Sequence, residues 1–485
     1  MLLRLQWKRI LGVLIIAILA LLIHGYHYGI EDEAIYLPAV KQHLNGALYP
    51  FDSAFFDSQS RLTLFDEFMA VLCRVTHLPP DWVFFSVYCL STFLFVLVLR
   101  QLAERFFRDA RARWASVLLP SALLTVPVAG TALFIMDQHL HPRNLSTIAL
   151  LFALVAVLDK RRVTALVWVA LAAAFHPLMA LYGASLLSMF AWRTLRLHFL
   201  GFALFLPFAW FLLPPASAAW RQAIEPYYFL SEWAWYEWVG ILGPLVLLMA
   251  CGRWAASREL PLISFGTRTL VLFGVFYFLV AATVTFVHRF AQLAPLQPMR
   301  SLQLIYLFLF FFAGGIAGQT YGRHWGFASV LFLALCAGMH YAQRQEFPAS
   351  PHIELPGRVP HNSWMLAFDW IRRNAPMRAY FVMHPRYLER PGEDFHGFRA
   401  LAERSVLADQ IKDRSVATVY PGLAQEWLEQ SEAQRNWSSF GPADLHRLKQ
   451  RFGVDWALLE RAIPPFSGDM VCPYQNDQIQ VCRID

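Results

Sequence analysis

Three consecutive acids, Glu31, Asp32 and Glu33, are the residues whose types and spacing most directly indicate chemistry in this chain. They follow the first long apolar stretch by only a few residues. Adjacent carboxylates repel one another and are costly at a bilayer surface. Acids can also cap a helix, here one beginning at Ala34, because negative charge is favourable at a helix N-terminus. A cap needs one acid rather than three, so the cluster predicts a functional site.

A second polar cluster runs from Met136 to Asn144, between two apolar stretches. Asp137, His139 and His141 are all metal-ligand types, but their spacing matches no metal signature. Three interpretations stay open: a cluster that orients a substrate, a divalent-metal site, and interfacial polarity with histidines hydrogen-bonded to the backbone. We favour the first and expect no bound cofactor.

The composition indicates which elements hold these residues. Of the 485 residues, 57% are hydrophobic and only 15% are charged, as expected for a polytopic membrane protein. The apolar stretches predict about eleven transmembrane helices. The predicted spans are Ile10–Ile23, Trp82–Leu99, Trp114–Phe134, Leu145–Leu158, Val163–Phe175, Leu178–Trp192, Phe199–Leu213, Val239–Cys251, Thr269–Val287, Leu302–Gly318 and Phe327–Tyr341.

The basic residues predict the orientation. Arg4, Lys8 and Arg9 precede the first span, which places the N-terminus in the cytoplasm by the positive-inside rule. Alternate loops are rich in basic residues, so we expect the three acids and the C-terminal tail to lie outside. The net charge of +7 follows from this topology and requires no nucleic acid as a partner. A signal peptide is the alternative for the first stretch, but no convincing cleavage site follows it before His24.

The chain is predicted to divide into a transmembrane domain over residues 1–341, a Pro-rich linker over 342–360 and an external α/β domain over 361–485. Cys472 and Cys482 flank a hairpin-like segment near the C-terminus. A three-residue turn centred on Asp477 would place them directly opposite each other. We expect a disulfide rather than two free thiols, because an external tail lies in an oxidising compartment.

The acids continue as Asp32-Glu33-Ala34-Ile35-Tyr36, and two segments with helical spacing and one apolar side, Ala34–Leu44 and Leu62–Val75, lie in the same loop. Such helices are expected at the membrane interface. This arrangement resembles the GT-C superfamily of membrane glycosyltransferases, and looks most like the branch of protein O-mannosyltransferases and lipid A aminoarabinose transferases. The predicted topology is similar to that of oligosaccharyltransferase catalytic subunits. The resemblance implies a GT-C-like helical membrane fold with interfacial helices in the first external loop.

The resemblance also implies residue roles. In that superfamily an acid of the first external loop is catalytic, and the matching position here is Asp32, with Glu33 beside it. A carboxylate suits this role because sugar transfer requires a base for the acceptor's proton. Glu31 and Tyr36, at the two ends of the motif, are candidate substrate contacts. Members often carry a further acid in the second external loop, where this chain has Asp137, although the paired second-loop acids of the family are absent.

The external ends of the spans carry further candidate substrate contacts. A guanidinium at membrane depth can neutralise the phosphate that a lipid-linked sugar leaves behind. A lone histidine at a span end is more often a satisfied interfacial residue. The aromatic loop Ala216–Trp238 indicates a membrane girdle, with sugar stacking as the alternative. The candidate contacts are Arg143, Arg289, Arg300, His139, His141, His176 and His288.

The sequence therefore predicts a GT-C-type glycosyltransferase of the bacterial cytoplasmic (inner) membrane. It would transfer a sugar from a polyprenyl-phosphate-linked donor to an external glycan, lipid or protein acceptor, with Asp32 as general base. The alternatives are a transporter or flippase of a lipid-linked saccharide and a non-catalytic relative that binds such a ligand. Against a transporter, the ionisable residues cluster at the external span ends rather than near the span centres.

Overall fold

The computed structural model describes residues 2–195, 217–321, 324–358, 362–390, 392–461 and 470–484. The chain forms two compact units, each built from three separate segments. The predicted linear division differs from this arrangement, because the segment predicted as the first external loop belongs to the same unit as the C-terminal segment. The helical unit comprises Met1–Gly25, Ser86–Pro215 and Pro226–Gln343, and the sheet unit comprises Tyr26–Phe85, Ala216–Glu225 and Arg344–Asp485.

Helices form most of the described chain. They are α1 Leu2–His24, α2 Glu33–Leu44, α3 Ala54–Ser60, α4 Phe65–Thr76, α5 Pro80–Phe106, α6 Ala110–Ala122, α7 Pro142–Leu158, α8 Arg162–Phe175, α9 Pro177–Leu195, α10 Ala218–Ala223, α11 Trp235–Ser257, α12 Pro261–Phe286, α13 Leu302–Tyr321, α14 Trp325–Glu346, α15 Ser363–Asn374, α16 Phe398–Ala402, α17 Lys412–Val419, α18 Ala424–Ala433 and α19 Pro442–Phe452.

Six helices in the described part are long and apolar enough to cross a membrane, as a multi-pass membrane protein requires. The predicted count of eleven stays a prediction, because the predicted span Phe199–Leu213 lies outside the described residues. The predicted span Trp114–Phe134 is helical only to Ala122, after which Val128 and Leu133 form a bridge. The six are Trp7–His24, Pro80–Phe106, Trp235–Ser257, Pro261–Phe286, Phe290–Tyr321 and Gly326–Glu346; shorter apolar helices are Pro142–Leu158, Arg162–Phe175 and Pro177–Ala191.

Small residues allow α6 and α13 to approach closely inside the helical unit. Gly314 and Gly318 lie one turn apart on α13, and both face α6. A Cβ at Gly318 would lie 2.7 Å from the Cβ of Ala115 and 2.9 Å from the carbonyl oxygen of Arg111. Such close approach is the usual role of small residues in membrane helices.

A five-stranded sheet forms the centre of the C-terminal part of the sheet unit. Its order is β2-β1-β3-β5-β4, with β1 parallel to β2 and β3, and β5 antiparallel to β3 and β4. Parallel and antiparallel pairs in one sheet, with helices between the strands, fit the predicted α/β class. The strands are β1 Tyr380–Val382, β2 Ser405–Val406, β3 Trp456–Glu460, β4 Tyr474–Gln475 and β5 Ile479–Arg483.

The C-terminal hairpin has a tighter turn than the sequence predicted. Gln475 pairs with Gln480, and the amide of Asn476 donates to the carbonyl of Ile479 at 2.9 Å. The turn therefore has two residues and is not centred on Asp477, so the predicted register is wrong by one residue. The Asn476 side chain holds this tighter turn by accepting from the amide of Ile479 at 2.8 Å. Cys472 and Cys482 nevertheless form a disulfide in the structure.

The two segments predicted as interfacial helices behave differently. α2 is buried from Glu33 to Lys41 and packs in a core with Tyr49, Phe56 and Val416. The apolar side chains of α2 are therefore covered by the sheet unit itself, and its predicted interfacial position stays a prediction. α4 buries Phe65 and Met69 and exposes a second apolar side, as an interfacial helix would. The exposed apolar side chains of α4 are Phe68, Val71 and Val75.

Candidate functional site

The three acids lie at the start of α2, and each has a different structural role there. Asp32 occupies the N-cap position, yet its side chain makes no capping hydrogen bond. Glu31 has a positive φ of 48°, which turns the chain into the helix. The fully buried Glu33 accepts a hydrogen bond from the amide of Gly29 at 2.6 Å. Glu33 thus braces the turn before α2, while Asp32 is not used as a cap.

Lys412, the first residue of α17, holds two of these acids. Its Nζ donates to Oε2 of Glu31 at 2.6 Å and to Oδ1 of Asp32 at 2.9 Å. The lysine side chain is 14% exposed and that of Asp32 31%. Burial lowers the pKa of Lys412, but the charges of Asp32 and Glu31 outweigh it and raise the pKa above its usual range.

The position of Lys412 is set by the turn that begins its helix. The Oδ1 of Asp409 accepts hydrogen bonds from the amides of Ile411 and Lys412 at 2.7 and 2.6 Å, and from that of Asp413 at 3.2 Å. These amides would otherwise lack partners at the helix start. Asp409 therefore anchors the backbone that carries the lysine toward Asp32.

A buried ionic network also holds the first turn of α17. Arg399 donates to both carboxylate oxygens of Asp413, at 2.8 and 2.9 Å, and also to Asp52. All three side chains are at most 6% exposed. Because Asp52 comes from the segment Tyr26–Phe85, this network ties that segment to the part of the sheet unit that supplies Lys412.

Tyr36 lies away from exposed surface. Its side chain is buried, its ring packs edge-on against Phe65 at 5.6 Å, and its hydroxyl accepts from Gln59 at 3.3 Å. The structure thus gives Tyr36 a packing position in the first-loop core. Its candidate role as a substrate contact stays a prediction.

The second polar cluster comes together inside the helical unit. Arg143 donates to both carboxylate oxygens of Asp137, at 2.7 and 2.8 Å, and both side chains are buried. The amide of Arg143 donates to Nδ1 of His141 at 2.8 Å, which caps α7. The ring of His141 lies 5.9 Å from that of His139 and 5.9 Å from that of His176. Four second-loop candidates and His176 thus form one cluster.

The geometry of this cluster does not resemble a metal centre. Both oxygens of Asp137 face the Arg143 guanidinium, which already compensates the carboxylate charge. Among the described residues, the three ligand-type side chains that converge are a different set, His43, Asp66 and Glu67. We therefore do not assign an ion to Asp137, His139 and His141, and the absence of a cofactor stays an expectation.

Arg300 lines a small pocket in the helical unit with aromatic residues of the loop Ala216–Trp238. Tyr228, Trp233 and Gln297 are among the other lining residues. The Nε of Arg300 is buried and makes no hydrogen bond to the described residues. His288 and Arg289 begin a short 3-10 helix, but their side chains lie outside the described part of the chain.

Sequence reasoning missed Lys412 as a site residue. No local signal in the sequence joins Lys412 to Asp32, 380 positions earlier. The one available hint was Asp409 itself, three residues before Lys412, because an acid at that spacing caps a helix.

No protein-family model matches the chain, and no curated protein matches it. Solved structures are similar to it. One is the archaeal oligosaccharyltransferase AglB from Archaeoglobus fulgidus in complex with an inhibitory peptide and a dolichol-phosphate, with a TM-score of 0.48 and 12% identity over 94% of this chain and 70% of that chain. Another is the Archaeoglobus fulgidus oligosaccharyltransferase in complex with Zn and sulfate, with a TM-score of 0.45 and 12% identity over 93% of this chain and 68% of that chain. Both are oligosaccharyltransferases, a class within the GT-C superfamily that the first-loop motif resembles. At this identity the similarity transfers no residue role.

Proposed function

We propose that the chain is a membrane glycosyltransferase that moves a sugar from a polyprenyl-phosphate-linked donor to an extracytoplasmic acceptor, with Asp32 as the general base. One observation carries the proposal: Asp32 occupies a cap position without capping, remains 31% exposed, and is held by a largely buried lysine. A carboxylate with a purely structural role would spend its oxygens on the helix amides instead.

The proposed reaction is a single sugar transfer in which Asp32 takes up the acceptor's proton. The acceptor oxygen or nitrogen attacks the anomeric carbon of the sugar, the bond from that carbon to the phosphate oxygen breaks, and the acceptor's proton passes to Asp32. Lys412 orients the carboxylate before that transfer, through the hydrogen bond from its Nζ to Oδ1 of Asp32. Glu31 shares the lysine, so its charge adds to the attraction that fixes the ammonium group.

The leaving phosphate requires a cation. Arg143 is already neutralised by Asp137, so a further anion would have to compete with a buried ion pair. Arg300 lines a small pocket in the helical unit, and its buried Nε makes no hydrogen bond to the described residues, so its candidate role as a phosphate contact stays a prediction. We assign Arg143 to holding Asp137 and the start of α7.

The decisive test is Asp32→Asn, which is nearly isosteric and removes only the proton acceptor. Loss of a general base costs ~10²–10⁴ in rate. Product formation from polyprenyl-phosphate-linked sugars by the purified protein should fall by that factor. Glu33→Gln should lose stability rather than chemistry, because Glu33 braces Gly29.

Asp57→Asn is the matched control, since Asp57 lies in the same loop, on α3, and makes no ion pair in the described structure. Its rate should equal that of the wild type. Equal product from wild type and Asp32→Asn would overturn the base assignment. Movement of lipid-linked sugar across vesicles without any product would identify a transporter instead, and binding without either activity a non-catalytic relative.

A further inference from the structure

The structure assigns a second function to the first external loop: we propose that His43, Asp66 and Glu67 bind a zinc ion. Each of the three side chains offers one ligand atom, and these atoms all lie within 4.8 Å of one another. One imidazole nitrogen with two carboxylate oxygens is a donor set that suits Zn²⁺.

Two helices bring these ligands together. His43 lies in the last turn of α2, and Asp66 and Glu67 lie in the first turn of α4. The Nε2 of His43 is 2.7 Å from Oδ2 of Asp66. Ligand atoms around a tetrahedral zinc ion are about 3.4 Å apart, given metal–ligand distances of about 2.1 Å. The pair would need to open by less than 1 Å, roughly a side-chain adjustment.

An independent observation points to a ligand at this place. Asp66 is 1% exposed, and its Oδ1 is buried without a hydrogen-bond partner among the described residues. A buried carboxylate oxygen without a partner is costly, and a bound cation removes that cost. The hydrogen bond between His43 and Asp66 gives a partner to Oδ2 of Asp66 only. A bound ion could also contact Oδ1.

The site is open enough to load and to keep a water ligand. The side chain of His43 is 43% exposed, and Glu67 is exposed as well. Three protein ligands with an open fourth position are a normal zinc arrangement. The ion would therefore enter from solvent rather than through the core.

This site is separate from the candidate base. Asp32 and His43 flank opposite ends of α2, about 16 Å apart along the axis at 1.5 Å per residue. The ion would fasten α2 to α4 and would not touch the acids that Lys412 holds. The inference therefore stands independently of the proposed function.

The test is calorimetric titration of Zn²⁺ into the purified full chain after treatment with a chelator. We expect about one ion per chain, as the three-ligand set implies, and at least a tenfold weaker affinity for each of His43→Gln and Glu67→Gln. These variants leave the buried Asp66 in place, so they should fold. Zinc should also raise the thermal unfolding midpoint of the wild type and not of the variants, since an ion bound only to the folded chain stabilises it.

His77→Gln is the matched control, because His77 ends α4 and lies outside the ligand group. Its zinc affinity should equal that of the wild type. Absence of zinc binding by the chelator-treated wild type would overturn the proposal. Binding that survives both His43→Gln and Glu67→Gln but is lost in His139→Gln would overturn it too, because the ion would then belong to the second polar cluster.

Discussion

Lys412 contacts Glu31 and Asp32, and a substitution of the lysine removes its charge while leaving both acids in place. Lys412→Met deletes the ammonium group that contacts Glu31 and Asp32 while keeping much of the side-chain length. An opposite charge within this distance favours the ionised form of a carboxylate over the protonated form. The acidic limb of the pH–rate profile should therefore move to higher pH, with a smaller loss of rate at alkaline pH.

Lys412→Arg keeps the charge and should retain the wild-type acidic limb. Measuring kcat/KM from pH 4 to 9 with all three proteins separates this effect from a general loss of folding, which would lower the rate equally at every pH. An unshifted limb in Lys412→Met would show that the lysine does not act through the acids.

At the residue scale, the sequence identified the three acids but not the different contacts that each of them makes. Glu33 is buried against Gly29, a consequence of how the chain turns before α2 that no motif encodes. The sequence also singled out Asp137 and Arg143, but it did not predict that they form an ion pair. Residue types reveal which groups can do chemistry, while their partners depend on contacts between distant segments.

At the scale of elements, the contact between α6 and α13 depends on glycine. A Cβ at Gly314 would overlap the carbonyl oxygen of Ala115 and lie 3.0 Å from the Cβ of Leu119. Since the overlapped atom is backbone, Gly314→Ala should force the helices apart at a cost of ~1–3 kcal/mol. The thermal unfolding midpoint of the detergent-solubilised protein should fall.

Gly338→Ala is the control on α14, where an added Cβ meets nothing within 4 Å. There alanine should leave the midpoint unchanged or raise it, because glycine is the poorer helix former by about 1 kcal/mol. If both substitutions had the same effect, the close approach of α6 and α13 would not contribute to stability.

The sequence predicted most long helices well, and the exceptions have physical reasons. Apolar length is a strong signal, so the predicted span Val239–Cys251 corresponds to α11 and Thr269–Val287 to α12. It fails for Trp114–Phe134, where an equally apolar stretch turns back in the bridge between Val128 and Leu133. For α2 the sequence predicted the helix itself but not that protein would cover its apolar side chains.

At the scale of the whole molecule, a buried triad connects separate segments of the sheet unit. Glu354 accepts from Nδ1 of His27 at 2.9 Å and lies 3.0 Å from Nε2 of His396. Burial lowers the pKa of His396, but Glu354 outweighs it and raises the pKa; burial raises the pKa of Glu354, but the two histidines outweigh it and lower the pKa.

These shifts fix the pH dependence of stability. The contribution of His396 is full below its ordinary pKa of 6.5 and is lost as pH rises through the raised value. That of Glu354 is full above 4.5 and is lost as pH falls through the lowered value. Glu354→Gln should therefore lower the free energy of unfolding most between pH 4.5 and pH 6.5. The expected loss is about 3 kcal/mol, as for a broken buried ion pair. Thermal unfolding from pH 4 to 9 measures this. A difference from wild type that does not vary with pH would contradict the linkage.

The division into discontinuous units also sets the order in which the protein can be completed during synthesis. The segment Tyr26–Phe85 leaves the ribosome long before Arg344–Asp485, and both belong to one compact unit. Until the later segment is made, Asp32 has no Lys412 and Asp52 has no Arg399. A nascent chain therefore carries these acids without their basic partners, and the candidate base gains its final environment only after the segment that holds Lys412 has been made.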